Sequence, residues 1–360
     1  MAVRESKDFS VLSSSDMFYF ISQVKVNRSP IGPTSRANSK EDSPNSEITS
    51  PSNQARSSPQ RKADIISMSH MPVLGVPHRT LIVRNLKGLE DIVPYTSVHW
   101  EMLEKGWRFA TPKEKIPGDN VTSDPIHKNF THLQDIYFDV DADYTGRFTV
   151  PTLYDIKQHK IVSNESSEII RMFYTEFDDI VPDRYKSVDL FPEQLRAEIE
   201  STNDWTYNDI NNGVYKSGFA TTQEAYEQAV KPLFASLDRA EAHLTKHAGP
   251  YYFGTNITEV DVRLYTTIIR FDPVYVQHFK CNIRDIRSGY PELHKWLRKL
   301  YWDVPAFKDT TQFEHIKNHY TKSHKQINSF SITPVGPLPD ILPKDQEIPA
   351  AAAALQSMNQ

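Results

Sequence analysis

The pattern of apolar positions divides the chain into two blocks of different secondary structure. Between residues 72 and 170, short strand-like apolar runs alternate with runs of helical spacing. The strand-like runs are 91–98, 148–155, which Pro151 interrupts, and the short run 160–162. Helices are predicted to begin near Pro77, a residue favoured in a first helical turn, and near Ser166. This alternation predicts a βαβ unit followed by a ββα unit.

The second block, residues 192–325, has the spacing of a set of helices. Thr221 and Glu224 have the spacing of a capping box and predict a helix start. Behind them, apolar residues recur at intervals of three and four: Ala225, Ala229, Leu233, Phe234, Leu237, Ala240 and Leu244. This stripe is predicted to face the core. Thr258 and Asp261 predict a second capped helix, with Ile257 and Val262 as its hydrophobic staple.

Both ends of the chain differ from these blocks in composition. Residues 27–60 are rich in Ser and Pro and contain almost no large apolar residue. Such a stretch cannot bury enough surface to offset its ordering entropy, so we predict a disordered segment over 1–64. Ser43 and Ser58 each precede proline, so the segment is either a phosphorylatable tail or a plain solvated linker. Residues 329–360 form a Pro/Ala-rich tail, predicted to lie along or off the core.

Charge and cysteine content narrow the function classes. The net charge is −5 and no long basic run occurs, so neither nucleic acid nor a membrane surface is expected as a partner. No apolar stretch approaches the roughly 20 residues that span a bilayer, and a cytoplasmic protein is expected. Cys281 is the only cysteine and cannot form an internal disulfide. His315 and His319 could share a helix face, but no third ligand is evident, and no metal is expected.

Two short motifs in the first block have both a plain and a functional interpretation. Val150-Pro151 is either an edge-strand proline or a cis-proline of the thioredoxin kind. Glu165-Ser166, at a predicted helix start, is either a simple cap or a site where free amides and the helix dipole receive a carboxylate. Alone, Glu165-Ser166 would favour the simple cap, but fourteen residues after Val150-Pro151 the ligand-binding interpretation is preferred.

Longer strings resemble one family. They are 78–84 (HRTLIVR), 87–90 (KGLE), 104–109 (EKGWRF), 211–220 (NNGVYKSGFA), 254–261 (GTNITEVD), 270–275 (RFDPVY) and 315–320 (HIKNHY). From about residue 78 to about residue 328, the chain resembles the glutathionyl-hydroquinone reductases, the Xi-class or omega-like glutathione S-transferases, and the fungal members most of all.

The resemblance implies a fold and its ligands. The fold is an α/β thioredoxin-like N-terminal domain plus an all-α glutathione transferase C-terminal domain. The first would occupy 65–185, with its first strand degraded to a makeshift run near 65–68, and the second 192–328. The implied co-substrate is glutathione, the implied substrates are glutathionyl-(hydro)quinones, and a homodimer is implied. In such enzymes a cysteine thiolate attacks the sulfur of the conjugate and expels the hydroquinone.

The resemblance also assigns site residues. The glutathione contacts would be Trp107, Arg147, Phe148, Thr149, Val150, Pro151, Glu165 and Ser166, with Glu165 on the ammonium and Ser166 on the carboxylate of the γ-glutamyl end. Tyr215 would donate a proton to the leaving group, and Tyr275 and Tyr320 would donate hydrogen bonds to the thiolate. Each tyrosine can instead be an ordinary buried tyrosine with a partner for its hydroxyl.

The sequence departs from the family at the nucleophile. The family motif Cys-Pro-Trp-Ala is matched here by 74–77 (LGVP), and Leu74, at the nucleophile's position, cannot attack sulfur. A splice or gene-model boundary accounts best for this, with an evolved pseudoenzyme as the alternative. Cys281 is expected to be buried and inert, and Ser67 or Ser69 would be a still weaker substitute. The expected function is therefore an impaired glutathione-dependent reductase or transferase; the alternatives are a non-catalytic ligand-binding protein and a protein-interaction scaffold.

Overall fold

The structure is a computed structural model and describes residues 66–70 and 75–346. Several expectations lie outside the described residues. They are the disordered segment 1–64 with Ser43 and Ser58, the nucleophile position Leu74, and the tail beyond residue 346.

A four-stranded mixed sheet forms the first block. Its strands are β1 (Ile66–His70), β2 (Tyr95–Ser97), β3 (Thr152–Asp155) and β4 (Lys160–Ser163), in the order β2-β1-β3-β4. β1 is parallel to β2 and antiparallel to β3, and β3 and β4 form an antiparallel hairpin. The makeshift first strand is therefore a complete one, since β1 pairs along both neighbours.

Three helices accompany this sheet: α1 (Gly75–Leu86), α2 (Leu133–Val140) and α3 (Ser166–Thr175). The order β1-α1-β2-α2-β3-β4-α3 confirms the predicted βαβ and ββα units. α1 packs against α3 on one side of the block. The starts of α1 and α3 agree with the prediction, whereas α2 was not predicted.

Two predicted strands are shorter than their apolar runs. Of 91–98, only Tyr95–Ser97 is extended, because the amides of Ile92 and Val93 turn back to donate to the carbonyl of Leu89. Of 148–155, only the part after Pro151 is strand, since proline has no amide to donate to a ladder. The residues just before Pro94 and Pro151 are therefore not strand here.

The second block is helical, as predicted. Its α-helices are α4 (Asp183–Lys186), α5 (Arg196–Trp205), α6 (Gly213–Gly218), α7 (Gln223–Lys246), α8 (Glu259–Arg270), α9 (Val276–His278), α10 (Ile286–Gly289), α11 (Pro291–Asp303), α12 (Pro305–Lys308) and α13 (Phe313–Ser323). A 3₁₀ turn, Glu193–Leu195, precedes α5, and two π-helical segments, Thr206–Asn211 and Phe271–Tyr275, follow α5 and α8. α8 packs directly on α1 and so joins the two blocks.

The predicted caps are real, with one shift in position. The cap of α7 is Thr222, not Thr221: its hydroxyl accepts from the Ala225 amide at 3.1 Å. At α8, the carboxylate of Asp261 accepts from the amide of Thr258 at 2.8 Å, which confirms the second capping box.

The described part of the tail lies along the helical block. The indole nitrogen of Trp302 donates to the carbonyl of Leu342 at 2.9 Å, and the guanidinium of Arg298 donates to the carbonyl of Pro343 at 2.8 Å. Ile341 and Leu342 are buried by this packing. Among the described helices, none combines the length and apolar character needed to cross a bilayer.

Candidate active site

The start of β3 forms one edge of the candidate site. The Val150–Pro151 peptide bond is cis, as the thioredoxin-like interpretation expected. Just before it, the carbonyl of Thr149 accepts from the hydroxyls of Tyr137 and Thr152, at 2.9 Å each. A helix residue and a strand residue thus fix this turn from two sides.

Asn164 joins this turn to the start of α3. Its side-chain amide donates to the hydroxyl oxygen of Thr149 at 3.0 Å and to that of Tyr137 at 3.2 Å. Because Asn164 directly precedes Glu165 and Ser166, the two motifs singled out in the sequence lie side by side. Sequence reasoning missed both Asn164 and Tyr137; Tyr137 lies in the helix that the pattern did not reveal.

The first turn of α3 has the features of an anion-binding helix start. Glu165 is the N-cap residue but makes no side-chain capping bond, and Ser166 is the buried first helical residue. The plain interpretation of Ser166 as a cap therefore does not hold. The hydroxyl of Ser163 accepts from the Glu165 amide at 3.1 Å. The first amides of a helix lack intrahelical acceptors and carry the positive end of its dipole.

Glu165 is an exposed residue whose carboxyl is under the influence of a buried guanidinium. Its side chain is open to solvent, yet enough protein surrounds it that desolvation raises the pKa of its carboxyl, with the charge of Glu168 as the second cause. The guanidinium of Arg79 acts in the opposite direction. Arg79 is itself buried, and this burial, with Arg263 nearby, lowers its pKa to about 9. Glu165 is therefore accessible to a ligand although protein partly surrounds its carboxyl.

The remaining predicted glutathione contacts are placed as follows. Trp107 is buried, and its ring lies 5.4 Å from that of His319 on α13. Phe148 is half-buried and packs against the rings of Tyr137 and Phe138. Arg147 is half-buried beside it. Trp107 thus connects the sheet block with the helical block.

The three predicted catalytic tyrosines meet at their hydroxyls. The Tyr320 oxygen lies 2.7 Å from that of Tyr215 and 2.9 Å from that of Tyr275, so Tyr320 is the middle member of a hydrogen-bonded chain. Tyr275 and Tyr320 are fully buried, whereas Tyr215 keeps partial exposure. Burial raises the pKa of all three hydroxyls, so they are protonated at neutral pH.

Two cations act on this tyrosine chain, and one of them also acts on Glu165. Arg79 exerts a lowering effect on the pKa of both Tyr215 and Glu165, so it lies within electrostatic reach of each. Arg270, which is fully buried, has the same effect on all three tyrosines. Its guanidinium is 3.0 Å from Nδ1 of His78 on α1. Buried guanidinium groups therefore act on the tyrosine chain, and one of them also acts on the N-cap residue of α3.

Cys281 cannot replace a nucleophile at the head of α1. It is fully buried, and desolvation raises the pKa of its thiol to about 12. Its sulfur is 3.9 Å from the carbonyl of Val214 and 3.8 Å from that of Phe279. The expected burial of Cys281 is confirmed, and its inertness stays a prediction.

The sheet order, the cis-proline beside a helix start, and the helical block behind them define a protein of the two-domain glutathione transferase class. The glutathione S-transferase C-terminal domain family matches residues 223–299. A glutathione S-transferase omega-like protein of Schizosaccharomyces pombe is 53% identical over 265 residues, which cover 73% of this chain and 82% of that protein. A glutathionyl-hydroquinone reductase of Escherichia coli is 48% identical over 264 residues, covering 73% of this chain and 76% of that protein.

Solved structures agree with these relatives. The crystal structure of a Xi glutathione transferase from Saccharomyces cerevisiae in complex with glutathione superimposes with a TM-score of 0.73 at 42% identity, covering 78% of this chain and 94% of that one. The chain belongs to the family of Xi-class, omega-like glutathione S-transferases and glutathionyl-hydroquinone reductases. The expected fold class, a thioredoxin-like domain followed by an all-helical transferase domain, is confirmed.

Proposed function

We propose that this chain binds glutathione and its aromatic conjugates in the cleft between α3 and the tyrosine chain, and that it lacks the thiolate that would cleave those conjugates. The observation that carries the proposal is the Asn164 bridge, which holds Thr149 and Tyr137 against the start of α3. A related Xi transferase has been solved with glutathione bound.

The peptide part of the ligand would lie along the two joined motifs. The backbone at Val150 would pair with the cysteinyl unit, and the buried Ser166 with the first amides of α3 would receive the γ-glutamyl carboxylate. Glu165 would accept from the γ-glutamyl ammonium, a charge-assisted bond that offsets the desolvation of its carboxyl. Trp107, Arg147, Phe148, Thr149 and Pro151 would complete the walls.

The aromatic part would meet the tyrosine chain. Three hydroxyls joined by two hydrogen bonds leave one hydroxyl proton that neither bond uses, and its position depends on the direction of the two bonds. If Tyr275 donates to Tyr320 and Tyr320 to Tyr215, that proton lies on Tyr215, the partly exposed member. Tyr215 is then the proton donor to the leaving hydroquinone, and Arg270 favours that transfer by stabilising negative charge on the oxygen left behind.

The bond-breaking step needs a sulfur nucleophile that the chain as written does not supply. In the full reaction, a cysteine thiolate attacks the glutathionyl sulfur, the carbon–sulfur bond breaks, and the ring takes a proton. A second glutathione then releases the first as a disulfide. Leu74 has no lone pair for the first attack, and Cys281 is buried and protonated. Recognition without turnover follows.

Calorimetric titration with glutathione tests the proposal, with a menadiol–glutathione conjugate as the substrate in a parallel release assay. We expect saturable binding of glutathione and no release of menadiol. Glu165→Gln should weaken binding about tenfold, since it removes a charge-assisted bond. Glu193→Gln, the same change at an exposed position of the 3₁₀ turn, is the matched control and should bind normally.

Two results would overturn this reading. Absence of any glutathione binding by the folded chain would favour a protein-interaction scaffold instead. Release of menadiol at family-like rates by the unaltered chain would show that a nucleophile other than a cysteine at the family position is used.

A further inference from the structure

A second group of ligand-type side chains lies at the other end of β3. The Val150–Pro151 bond precedes β3, whereas His159 follows it in the turn to β4. One imidazole nitrogen of His159, one of His127 and one carboxylate oxygen of Asp139 lie within 4.8 Å of one another. His127 belongs to the segment before α2, and Asp139 to α2 itself.

One of these histidines is already oriented as a metal ligand. Nδ1 of His127 is 2.9 Å from Oδ2 of Asp124, whose other oxygen accepts from the Ile126 amide at 2.8 Å. Asp124 is buried, so this arrangement is fixed by its surroundings. Metal-binding histidines characteristically donate their second ring N–H to such a carboxylate, which fixes the tautomer and directs the other nitrogen.

The other nitrogen of His127 has no use within the described residues. Its Nε2 is shielded from solvent and has no hydrogen-bond partner among them. The ring is held by stacking on Phe130 at 4.3 Å and by an edge contact with Tyr154 at 5.5 Å. A lone pair that is held in place, shielded and unbonded is a cost to the fold unless something binds it.

The local charge favours a cation. Burial raises the pKa of Tyr154, and the charges of Asp139, Asp124 and Asp155 raise it further. Three carboxylates are thus close enough to one hydroxyl to act on it together. A positive ion at this end of the sheet would be stabilised by the same field.

We propose that His127, Asp139 and His159 form a binding site for a divalent first-row transition cation, with zinc as the reference ion. Two imidazoles and one carboxylate suit zinc, whose bonds to such ligands are about 2.0–2.2 Å. Ligand atoms that share one such ion lie within the 4.8 Å that bounds the separations in this set. Asp139 and His159 are exposed, and Nδ1 of His159 lies 3.4 Å from the hydroxyl of Tyr154, while Asp124 holds His127.

The ion would act on the fold and not on the glutathione cleft. It would tie α2 to the β3–β4 turn and to the segment before α2, three pieces that converge at this end of the sheet. Tyr137 projects from the same short helix α2 toward the cleft, so the site would steady that helix from its far side. The inference does not depend on glutathione binding.

Zinc titration of the full-length, tag-free chain after chelator treatment tests the site, by calorimetry and by thermal unfolding. His159 has a backbone φ of 49°, a conformation that asparagine tolerates well, so His159→Asn removes a ligand without straining the turn. Asp139→Asn removes the second exposed ligand. The matched control is His247→Asn, because His243 and His247 stack at 3.8 Å on α7 and are an alternative surface pair for metals.

We expect one zinc ion per chain and a rise in the unfolding midpoint with zinc. Affinity should fall at least about tenfold in His159→Asn and in Asp139→Asn, and should be unchanged in His247→Asn. The proposal is overturned if the folded wild-type chain binds no zinc, if both ligand variants bind as the wild type does, or if only His247→Asn loses binding. Circular dichroism of each variant confirms that the fold is intact.

Discussion

Asn164 is the residue on which the shape of the cleft most directly depends. Its amide group donates to Thr149 and to Tyr137, and so joins the turn before β3 to the residue that precedes the N-cap of α3. Asn164→Ala should lower the affinity for glutathione about tenfold. Without its two hydrogen bonds the binding residues are held less well in place, and we expect about 1–2 kcal/mol less binding free energy. Calorimetric titration measures this.

The control for that prediction is Asn208→Ala. The Asn208 amide donates only to Asp204, within its own exposed helical stretch. The same truncation there should leave glutathione affinity unchanged. Equal losses in both variants would mean that Asn164 acts through general stability and not through the cleft.

Cys281 gives a second prediction at this scale. Its thiol is fully buried and its pKa is raised to about 12, so almost no thiolate exists at pH 8. The native chain should react with a thiol reagent such as DTNB only on the timescale of unfolding. In denaturant, its single thiol should react fully and release one equivalent of the coloured thiolate product of DTNB. Rapid labelling of the native protein would contradict the burial of this residue.

The start of α8 shows how one helix terminus anchors the second block. The carboxylate of Asp261 accepts from Thr258, from the amide of Tyr252 at 2.8 Å and from the indole of Trp296 at 2.8 Å. Asp261→Ala would leave these buried donors unpaired, so we expect a loss of about 4 kcal/mol in unfolding free energy. Urea denaturation measures it.

An exposed cap supplies the comparison for Asp261. Thr222→Ala removes only the single bond at the start of α7, and should cost about 1 kcal/mol. If Asp261→Ala and Thr222→Ala lost similar unfolding free energy, the buried hydrogen bonds of Asp261 would contribute no more to stability than an ordinary helix cap.

Helix α13 makes stability depend on pH. Burial lowers the pKa of His315 to about 3 and that of His319 to about 4, so both stay neutral in the folded chain. Unfolded histidines titrate near pH 6.5, so below that pH the unfolded chain binds protons that the folded chain excludes. Unfolding free energy should therefore fall as pH falls from about 6.5 toward 4, by about 1 kcal/mol per pH unit per histidine.

His315→Met tests this dependence. Neither ring nitrogen of His315 has a hydrogen-bond partner among the described residues, so the change removes a titrating group without stranding a partner. Urea denaturation at pH 7, 6 and 5 should show a shallower decline in the variant. An unchanged slope would mean that His315 is not protonated on unfolding in this range.

At the scale of elements, the sequence predicted most of what local chemistry decides. Pro77 and Ser166 signal the starts of α1 and α3, and Thr258 with Asp261 signals that of α8. The apolar run at Ile92 and Val93 favours a strand in the sequence but forms a turn in the structure. The same run of apolar residues fits a strand or a turn, and only its hydrogen-bond partners distinguish the two. Strand β1 is likewise a product of its two neighbours more than of its own composition.

The residues of the candidate site could be predicted only where the family resemblance assigns them. Tyr215, Tyr275 and Tyr320 come from separate helical segments, and no local spacing shows that their hydroxyls meet. Asn164 belongs to none of the strings that carry the resemblance, and Arg79 belongs to one, but the roles of both follow from contacts across the fold. The assignment of individual ligand contacts and the domain limits 65–185 and 192–328 stay predictions.

For the whole molecule, a four-residue graft should restore turnover. Replacing 74–77 through Leu74→Cys, Gly75→Pro, Val76→Trp and Pro77→Ala supplies the family motif where α1 begins. The preceding strand, β1 (Ile66–His70), already pairs on both sides. A side chain at position 75 would approach the hydroxyl of Thr266 to 3.3 Å, a contact that a small shift relieves. We expect release of menadiol from its glutathione conjugate, and little release from Leu74→Cys alone.

Adding Tyr215→Phe to the graft provides its internal control. Loss of the proton donor should slow release by about 10²-fold or more while glutathione still binds. A grafted chain that folds and binds glutathione, yet releases no menadiol, would contradict the assignment of the cleft.

The chain of tyrosine hydroxyls has no fixed polarity. Each of its two links can run in either direction, because either oxygen can be the donor. When each hydroxyl donates toward Tyr215, Tyr215 has a hydrogen to donate to a departing phenolate. When each donates toward Tyr275, Tyr215 has a lone pair to accept from a phenol. The three tyrosine hydroxyls could therefore bind a hydroquinone or a quinone through rotation of three O–H bonds, with no heavy atom moved. Discrimination between the two oxidation states would then have to come from other residues of the cleft.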